Sequence, residues 1–493
     1  MATCYQLADF WLLIPLCPAC QVPFSMLHDI YHLSILIGCM ALMMTLVVWG
    51  KSIFVVAPLC ALIAVTFSGA DPVAQMNDAY MTGFADYMKR FYLIFALGAV
   101  FGKIMDESGA AVSIARTVSQ RLGKDRACLA VVLACAVLTY GGVSLFVVGF
   151  SVYPLAVHLF RSANLPRRFI PAAIAFGSIT FTMTSAGSPE IQNLIPIKYL
   201  VDSTTGQSLT DARAGWPVSL IVALLMFSLG QWYLERAIRH DIKAGIGFDA
   251  RDTDRVQTTD AAGPPILIAI LPLIVTILAL NLLPALCHSF ASMWLSSKHS
   301  PTLHAIFSRF PEDGTLAIFL GVVAGTLVMR RRLIDVWKCF GDGFFNGLLA
   351  VGSTSAVVGF GAAIKTLPAF LLVVNWVTQI PGDPLIGAAI AVAVIAAIAG
   401  SASGGQAIAL PVIKPIYVDQ LGVAPRALHR IVAISSGTLD SLPANGYVVM
   451  LIHNICGETH SRAYGPIFVT TVLIPAVGTA VAIALFNCFP QWG

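Results

Sequence analysis

The sequence predicts an all-α polytopic membrane protein of about ten to twelve transmembrane helices, built as two inverted structural repeats that contain re-entrant hairpins and interrupted helices. Three observations carry this. Apolar residues make up 57% of the 493 and charged residues only 11%, with a mean hydropathy of +0.82, which is outside the range of a soluble globular domain. Runs such as HLSILIGCMALMMTLVVW, SIFVVAPLCALIAVTFSG, WPVSLIVALLMFSLGQWYL and PPILIAILPLIVTILALNLLP have the length a helix needs to cross roughly 30 Å of hydrocarbon. Two apolar runs are broken in the middle by small and polar residues, TSAGSPEIQN at 184–193 and GSASGGQ at 400–406. No alternating pattern of a barrel occurs, so the spans are helical.

Taken in order, residues 1–30 read as an extension on the outer side. No Lys or Arg precedes Lys51, so the early stretch WLLIPLC lacks the basic leader of a signal peptide. Cys17-Pro-Ala-Cys20 has redox or metal spacing, but no second ligand pair stands near it, and no metal or other cofactor is expected. Cys39, Cys60, Cys128 and Cys135 lie inside apolar runs, where a small hydrophobic role is the default. The first membrane repeat spans 31–235, a cytoplasmic linker 236–262, and the second repeat 263–493. By the positive-inside rule, basic clusters mark the cytoplasmic face: Lys103 with Arg116, Arg121, Lys124 and Arg126; Arg161, Arg167 and Arg168; Arg236, Arg239, Lys243, Arg251 and Arg255; Arg330, Arg331 and Arg332; and Arg426 with Arg430. The formal charge of +4 follows from such loops and implies no nucleic-acid partner. Residues 127–160 have basic clusters at both ends, yet one helix of that length would run about 50 Å. The segment therefore enters and returns, turning near Tyr140-Gly141-Gly142.

Internal repetition supports the two-repeat plan. IPAAIAFGSITFTMTSAGSP (170–189) aligns without gaps to IGAAIAVAVIAAIAGSASGG (386–405) with eight of twenty positions identical, Ser185 falling on Ser401. VVGF recurs at 147–150 and 357–360, each copy after a Gly/Ser-rich bend (GGVS at 141–144, VGSTS at 351–355), and the two offsets, 216 and 210, nearly agree. The loop before the first broken run holds Arg161, Arg167 and Arg168, whereas IPGDP at 380–384, before the second, has no basic residue, so the two enter from opposite sides. Arg330 to Arg332 nonetheless put the approach to the second repeat inside, which leaves one crossing unplaced.

A helix broken inside lipid is tolerable only where its freed backbone groups face protein, water or a ligand, since each unsatisfied group costs several kcal/mol. Ser188-Pro189-Glu190 has the makings of a new helix start, with serine as N-cap, proline in the first turn and an acid near the positive end. The exposed N–H groups of such a half-helix attract anions. Ser401-Ala402-Ser403-Gly404-Gly405-Gln406 offers hydroxyls, an amide and glycines that let a backbone approach closely. Two such breaks meeting at mid-membrane would cup a small carboxylate; the competing reading is tight helix contact through small residues. Glu190 is the one carboxylate in either break: a candidate carrier of a coupling proton, or else an acid that merely stabilises a helix start. Asp106 and Glu107 in GKIMDESGAA border a basic loop and are either functional or interfacial. His158 and His453, each single on an apolar background, read as packed polar residues. A third polar insertion, SSGTLDSLPANGYVVML at 435–451, places Asp440, Ser441, Asn445 and Gly446 across a would-be helix from Ile431 to Ile455. It is either a re-entrant loop near the site or a surface turn.

Through FGKIMDESGAAVSIA, TMTSAGSPEIQN, GSASGGQAIAL, HRIVAISSGTLDSLPANG and GETHSRAYGPIF, and over nearly the whole chain, the sequence resembles the gluconate permease (GntP) family of organic-anion symporters, within the wider ion-transporter superfamily. The Ser/Thr-Pro-x-Ile-Gln-Asn form of the break is similar to the branch that includes hydroxybutyrate-type permeases. The resemblance implies proton-coupled uptake of a hydroxy-acid such as gluconate or 3-hydroxybutyrate across the inner (plasma) membrane. It also implies a scaffold domain with a transport domain that moves elevator-fashion between two faces, and a homodimer. Carried over by position, the substrate site falls on Ser185, Gly187, Ser188, Gln192 and Asn193 with Ser401, Ser403, Gly404 and Gly405. Glu190, Asp440 and Asn445 are the coupling-ion candidates. Two positions depart from the family pattern: Ala444 stands where histidine is usual, which bears on any proton role for that turn, and Glu190 stands where an uncharged amide is common, which bears on the coupling ion or the substrate charge.

The expectation is a secondary active transporter of a small organic acid anion, coupled to protons in preference to sodium, with the anion, the ion and membrane lipid as its partners. An anion entering a negative interior needs at least one accompanying cation, each charge across 100 mV costing about 2.3 kcal/mol. A sodium-coupled carboxylate carrier of the same fold is the near alternative. A membrane-embedded enzyme is the rival from another class, but the sequence holds no HExxH and no GxSxG, and no enzymatic activity is expected. A passive channel suits closed mid-membrane breaks poorly, and no ATP-binding loop points to primary transport.

Overall fold

The computed structural model describes residues 24–49, 51–123, 126–250, 263–294, 314–378, 382–443 and 445–493; Cys17, Cys20, Lys124, Arg251, Arg255 and Ala444 lie outside the described residues. Among them the chain is helical, with one isolated bridge, Val201 to Ser208, and no strand. Five of the described helices are long and apolar enough to cross a membrane: His28–Val47, Trp216–Lys243, Ile266–Leu283, Val336–Lys365 and His460–Cys488.

Elements follow the same order in each half. A helix (Phe24–Val48; Ile266–Trp294) leads to a shorter one (Ile53–Phe67; Thr315–Met329), a very long one (72–107; Val336–Lys365) and a short one (Ala110–Leu122; Pro368–Thr378). A pair folded back on a tight turn (127–162; 384–414), a segment with an unwound middle (170–199; 425–455) and a final long helix (Trp216–Lys243; His460–Cys488) complete each half. The two very long helices run antiparallel, Gly343 lying on Val100, Gly347 on Ala96 and Gly83 on Ala362. A Cβ at Gly347 would fall 2.5 Å from the Ala96 Cα, so only glycine allows this spacing; small residues bring helices together where lipid supplies no hydrophobic drive.

The first fold-back joins Ala127–Tyr140 to Leu145–Ser162 through a turn in which Gly142 has φ of +93°, as the length argument requires. The second corrects an expectation, because residues 384–414 are not an interrupted crossing. Pro384–Ala399 starts at Asp383, whose carboxylate accepts the Leu385 N–H (2.9 Å), and stops at Gly400 in the left-handed conformation (φ +61°). Ala402–Lys414 then returns beside it: a Cβ at Gly405 would meet the Ala396 Cα at 2.4 Å, whereas a continuous helix over that interval would hold them roughly 13 Å apart.

By element order the counterpart of 170–199 is 425–455, while 384–414 matches 127–162; VGSTS at 351–355 is no bend but lies inside the helix Val336–Lys365. Small apolar residues recur wherever helices pack closely, so the Ala/Ile matches between 170–189 and 386–405 repeat a composition and not a topology.

The two segments with unwound middles cross antiparallel: Ile170–Ala175 lies against Leu451–Ile455, and Ile191–Tyr199 against Pro425–Ser436. Buried Arg167 faces Glu458 (3.6 Å) at one end, and Arg426 pairs with Asp211 (2.7 Å) at the other. Arg426 and Arg430 therefore sit at the opposite end from Arg167 and Arg168 and do not belong to the basic face. One is neutralised by an acid and the other buried, so neither is a free loop charge of the kind the topology rule counts. Trp216–Lys243 runs past residue 236, and its Asp241 binds Arg168 (2.6 Å).

Candidate functional site

In 170–199 the helix Ile170–Ala175 passes through a π-helical turn, Phe176–Thr180, and unwinds before Ile191–Tyr199. The freed backbone groups are met by other elements. Tyr140 OH donates to Ala186 O (2.9 Å) and Asn281 Nδ2 to Gly187 O (3.0 Å), while the Ala186 N–H goes to Ser219 Oγ (2.8 Å) and the Gly187 N–H to Ala212 O (2.7 Å). Ser185 Oγ donates back to Phe181 O. Helix restarts at Glu190 and not at Ser188, because the Ser188 carbonyl accepts Asn193 Nδ2 (2.8 Å) in place of a helical N–H. The Asn193 and Leu194 N–H groups go to Glu190 O (3.0 and 3.2 Å), and Ser188 Oγ accepts the Glu190 N–H (3.3 Å). Glu190 itself is buried.

Asn193 is the hub of this break. Its Nδ2 donates to Ser188 O and to Ala212 O (3.0 Å), and its Oδ1 accepts from Arg430 Nη2 (2.9 Å) and His429 Nε2 (3.3 Å). Because the Asn193 oxygen carries no hydrogen, His429 donates from Nε2, and its Nδ1 accepts the Thr210 hydroxyl (2.8 Å). Arg430 is 0% exposed and also donates to Thr184 O and to Ala214 O (2.9 Å); no carboxylate is in ion-pair contact with it among the described residues. A buried guanidinium is costly unless its N–H groups are matched, and here the carbonyls bared by the break and by the following loop do the matching. Arg430, His429, Thr210 and the loop carbonyls are the residues that sequence reasoning missed. One signal was available: Arg430 lies one helical turn beyond Arg426 and leads straight into the apolar run IVAI.

A second polar cluster forms at the tip of the second fold-back. Ser401 accepts the Gly404 N–H (3.3 Å) as N-cap of Ala402–Lys414, with Ser403 Oγ 3.1 Å from Ser401 Oγ. Asp440 Oδ1 accepts the Ala402 N–H (2.8 Å) and Asn445 Nδ2 (3.1 Å), and Asn445 Nδ2 also reaches Gly400 O (3.4 Å). Asn445 Oδ1 accepts the Val448 N–H (3.0 Å), which restarts the helix Gly446–Met450. The third polar insertion is thus the unwound middle of 425–455, held against the fold-back tip, and not a surface turn. Gly405 serves the fold-back itself. Asp106 accepts the Ser151 hydroxyl (2.8 Å) and Glu107 pairs with Lys103 (3.2 Å), outside both clusters.

The clusters meet through the half-helices that start from them. Ile191–Tyr199 packs on Ala402–Lys414, and Lys414 Nζ donates to Ser203 Oγ (2.9 Å) beyond the C-terminal end of the first. The pair therefore runs parallel, with the N-termini at Ile191 and Ala402 on the same side. Each half-helix carries a buried glutamine, Gln192 and Gln406, whose Oε1 has no partner among the described residues; Gln406 Nε2 donates to Ser436 Oγ (2.8 Å). No group of three or more His, Cys, Asp or Glu that could hold a metal ion occurs among the described residues.

A family model, that of GntP family permeases, matches residues 30–488. The transporter YxjC of Bacillus subtilis (strain 168) is 33% identical over 479 residues, which cover 92% of this chain and 99% of that protein. The high-affinity gluconate transporter of Escherichia coli (strain K12) is 23% identical over 340 residues, 69% of this chain and 71% of that protein. Among solved structures, the YdaH transporter of Alcanivorax borkumensis matches with a TM-score of 0.53 at 17% identity, covering 84% of this chain and 88% of its own. MtrF of Neisseria gonorrhoeae, from a class of antimetabolite efflux pumps, matches with a TM-score of 0.53 at 15% identity and 85% coverage of each chain. At such identities the likeness is one of fold.

Proposed function

The chain belongs to the GntP permease family and is a multi-pass transporter of the plasma membrane; from that premise we propose that it is a secondary active transporter, a proton symporter of a small hydroxy-acid anion such as gluconate or 3-hydroxybutyrate. The observation that carries this reading is the parallel pair of half-helices starting together at Ile191 and Ala402. Helix N-termini favour an anion, and the unmatched Oε1 atoms of Gln192 and Gln406 accept hydroxyl hydrogens. A carboxylate that carries hydroxyl groups satisfies both needs at once, with Ser185, Gly187, Ser188, Ser401, Ser403 and Gly404 at its border. Asn193, engaged on both sides of its amide, holds the break in shape. The likeness to the high-affinity gluconate transporter of Escherichia coli supports the same substrate class.

Glu190, buried in the break, is the proposed proton carrier. Sodium coupling is the second reading, favoured by the oxygen-rich corner of Asp440, Asn445 and the Gly400 carbonyl. The very long antiparallel helices would stay fixed while the fold-backs and unwound segments move elevator-fashion. In this arrangement 31–243 and 263–493 are inverted repeats joined on the cytoplasmic side by 244–262, in a homodimer. Purified protein in proteoliposomes, given labelled gluconate or 3-hydroxybutyrate with pH and sodium gradients imposed separately, tests the proposal. Uptake driven by an inward proton gradient is expected; uptake driven by sodium alone moves the coupling to the Asp440 corner, and no uptake of either acid under either gradient ends the reading.

A further inference from the structure

Two histidines separated in sequence meet beside the second unwound segment. His460 Nδ1 lies 2.9 Å from His453 Nε2, the ring planes are within 28° of parallel with centroids 5.0 Å apart, and His460 Nε2 lies 3.0 Å from Pro443 O. The geometry assigns every proton. A carbonyl only accepts, so His460 Nε2 bears hydrogen; in neutral His460, Nδ1 is then the acceptor and His453 Nε2 the donor. His453 is exposed, and its Nδ1 keeps a lone pair. Pro443 belongs to the turn that carries Asp440 and Asn445, and Tyr464, stacked on His460 at 5.7 Å, donates its hydroxyl to Ser441 O (3.0 Å) in the same turn.

We propose that His453 and His460 form a one-proton acceptor site whose charge state is felt at the tip of the second fold-back; this rests on the transport reading and deepens its proton coupling. A proton from solvent binds His453 Nδ1, and the His453 Nε2 hydrogen passes to His460 Nδ1, so that one positive charge is shared and no other bond changes. His460 then donates a charge-assisted hydrogen bond to Pro443 O, which is stronger than the neutral one. The turn so tightened is the one through which Asp440 holds the Ala402 N–H and Asn445 holds Gly400 O. A second proton would set two N–H groups against each other and part the rings.

The charged groups around the pair are committed elsewhere: Arg167 faces Glu458 (3.6 Å), Arg168 Asp241 (2.6 Å) and Arg462 Asp249 (3.4 Å). Leu145–Ser162, packed on Leu451–Ile455, brings Tyr153, His158 and Arg161, and Ile170–Ala175 brings no titratable group. Phe24–Val48, which touches Gly446–Met450, brings Asp29 and the pair His28 and His32 (3.1 Å); Tyr447 donates to Leu145 O (3.3 Å).

Histidine C2 hydrogen exchange read by mass spectrometry on the purified protein, between about pH 5 and 9, yields a midpoint for each ring without any transport. His453→Gln is expected to move the His460 midpoint by about half a unit or more, and His460→Gln the His453 midpoint likewise, while His158 does not respond. In proteoliposomes the same variants are expected to displace the pH profile of gluconate uptake. Rings that titrate independently, or an uptake profile indifferent to both variants, overturn the proposal. Coupled rings in a protein that takes up no hydroxy-acid leave the proton site standing and end the transport reading instead.

Discussion

Arg430 Nη2 and Asn193 Oδ1 lie 2.9 Å apart with both side chains fully buried, and through this bond the first half of one unwound segment fixes the second half of the other. The same guanidinium takes the carbonyls of Thr184 and Ala214, so one cation closes the backbone of the break together with the loop that follows it.

Replacing Arg430 with methionine leaves the Thr184 and Ala214 carbonyls buried and bare, and leaves Asn193 Oδ1 with His429 alone. At about 1–3 kcal/mol for each unsatisfied group, Arg430→Met is expected to lose roughly 2 kcal/mol or more of stability. Arg430→Lys, which keeps the charge and reaches part of the set, is expected to lose less. Thermal unfolding in detergent checks the order, and a methionine variant as stable as the parent contradicts it.

Ser188 Oγ accepts only the Glu190 N–H within the described structure. Ser188→Ala should cost about 1 kcal/mol in stability yet lower uptake by roughly tenfold or more if the hydroxyl borders the substrate. Asn193→Ala empties the hub and should lose both fold and uptake. Uptake normalised to folded protein, measured by size exclusion, separates the two variants; wild-type uptake in Ser188→Ala removes that residue from the site.

Adjacent glycines at the fold-back make opposite demands. A Cβ at Gly405 would stand 2.4 Å from the Ala396 Cα, whereas at Gly404 the nearest atom is Val357 Cγ1 at 3.4 Å. Gly405→Ala is therefore expected to destabilise by about 1–3 kcal/mol through overpacking, and Gly404→Ala to leave the melting temperature close to that of the parent. Equal melting points for the two variants would deny the close packing of the arms.

If Glu190 must be protonated for the loaded carrier to move, uptake rises as external pH falls. Glu190→Gln mimics the protonated side chain, so its uptake is expected to be flat with pH and its counterflow exchange retained, while accumulation against a gradient is lost. Parallel pH profiles for the parent and the variant would reassign the coupling ion.

Much of this molecule can be read from short windows of sequence. Run length and hydropathy establish membrane-spanning helices because hydrocarbon of fixed thickness leaves few alternatives. The same constraint exposes the break at 184–193 and the turn at Gly142, since polar groups and over-long segments in lipid require a reason. The residues of the second fold-back were equally visible, but not its direction. Kinked helix and hairpin use the same small residues, and only the closeness of Gly405 to Ala396 separates them.

What the tertiary structure alone decided is the choice of partners. A sequence window shows Arg430 as a positive charge beside an apolar run; its burial depends on carbonyls at Thr184 and Ala214, far off in the chain. His453 looked solitary because its neighbour His460 arrives only after the chain has turned at Cys456–Thr459. Length, hydropathy and backbone satisfaction are properties of a local segment, so the sequence determined the membrane class, the helices and the sites of interruption. Which unwound segment faces which tip depends on packing between segments remote from one another, and only the folded chain brings those together.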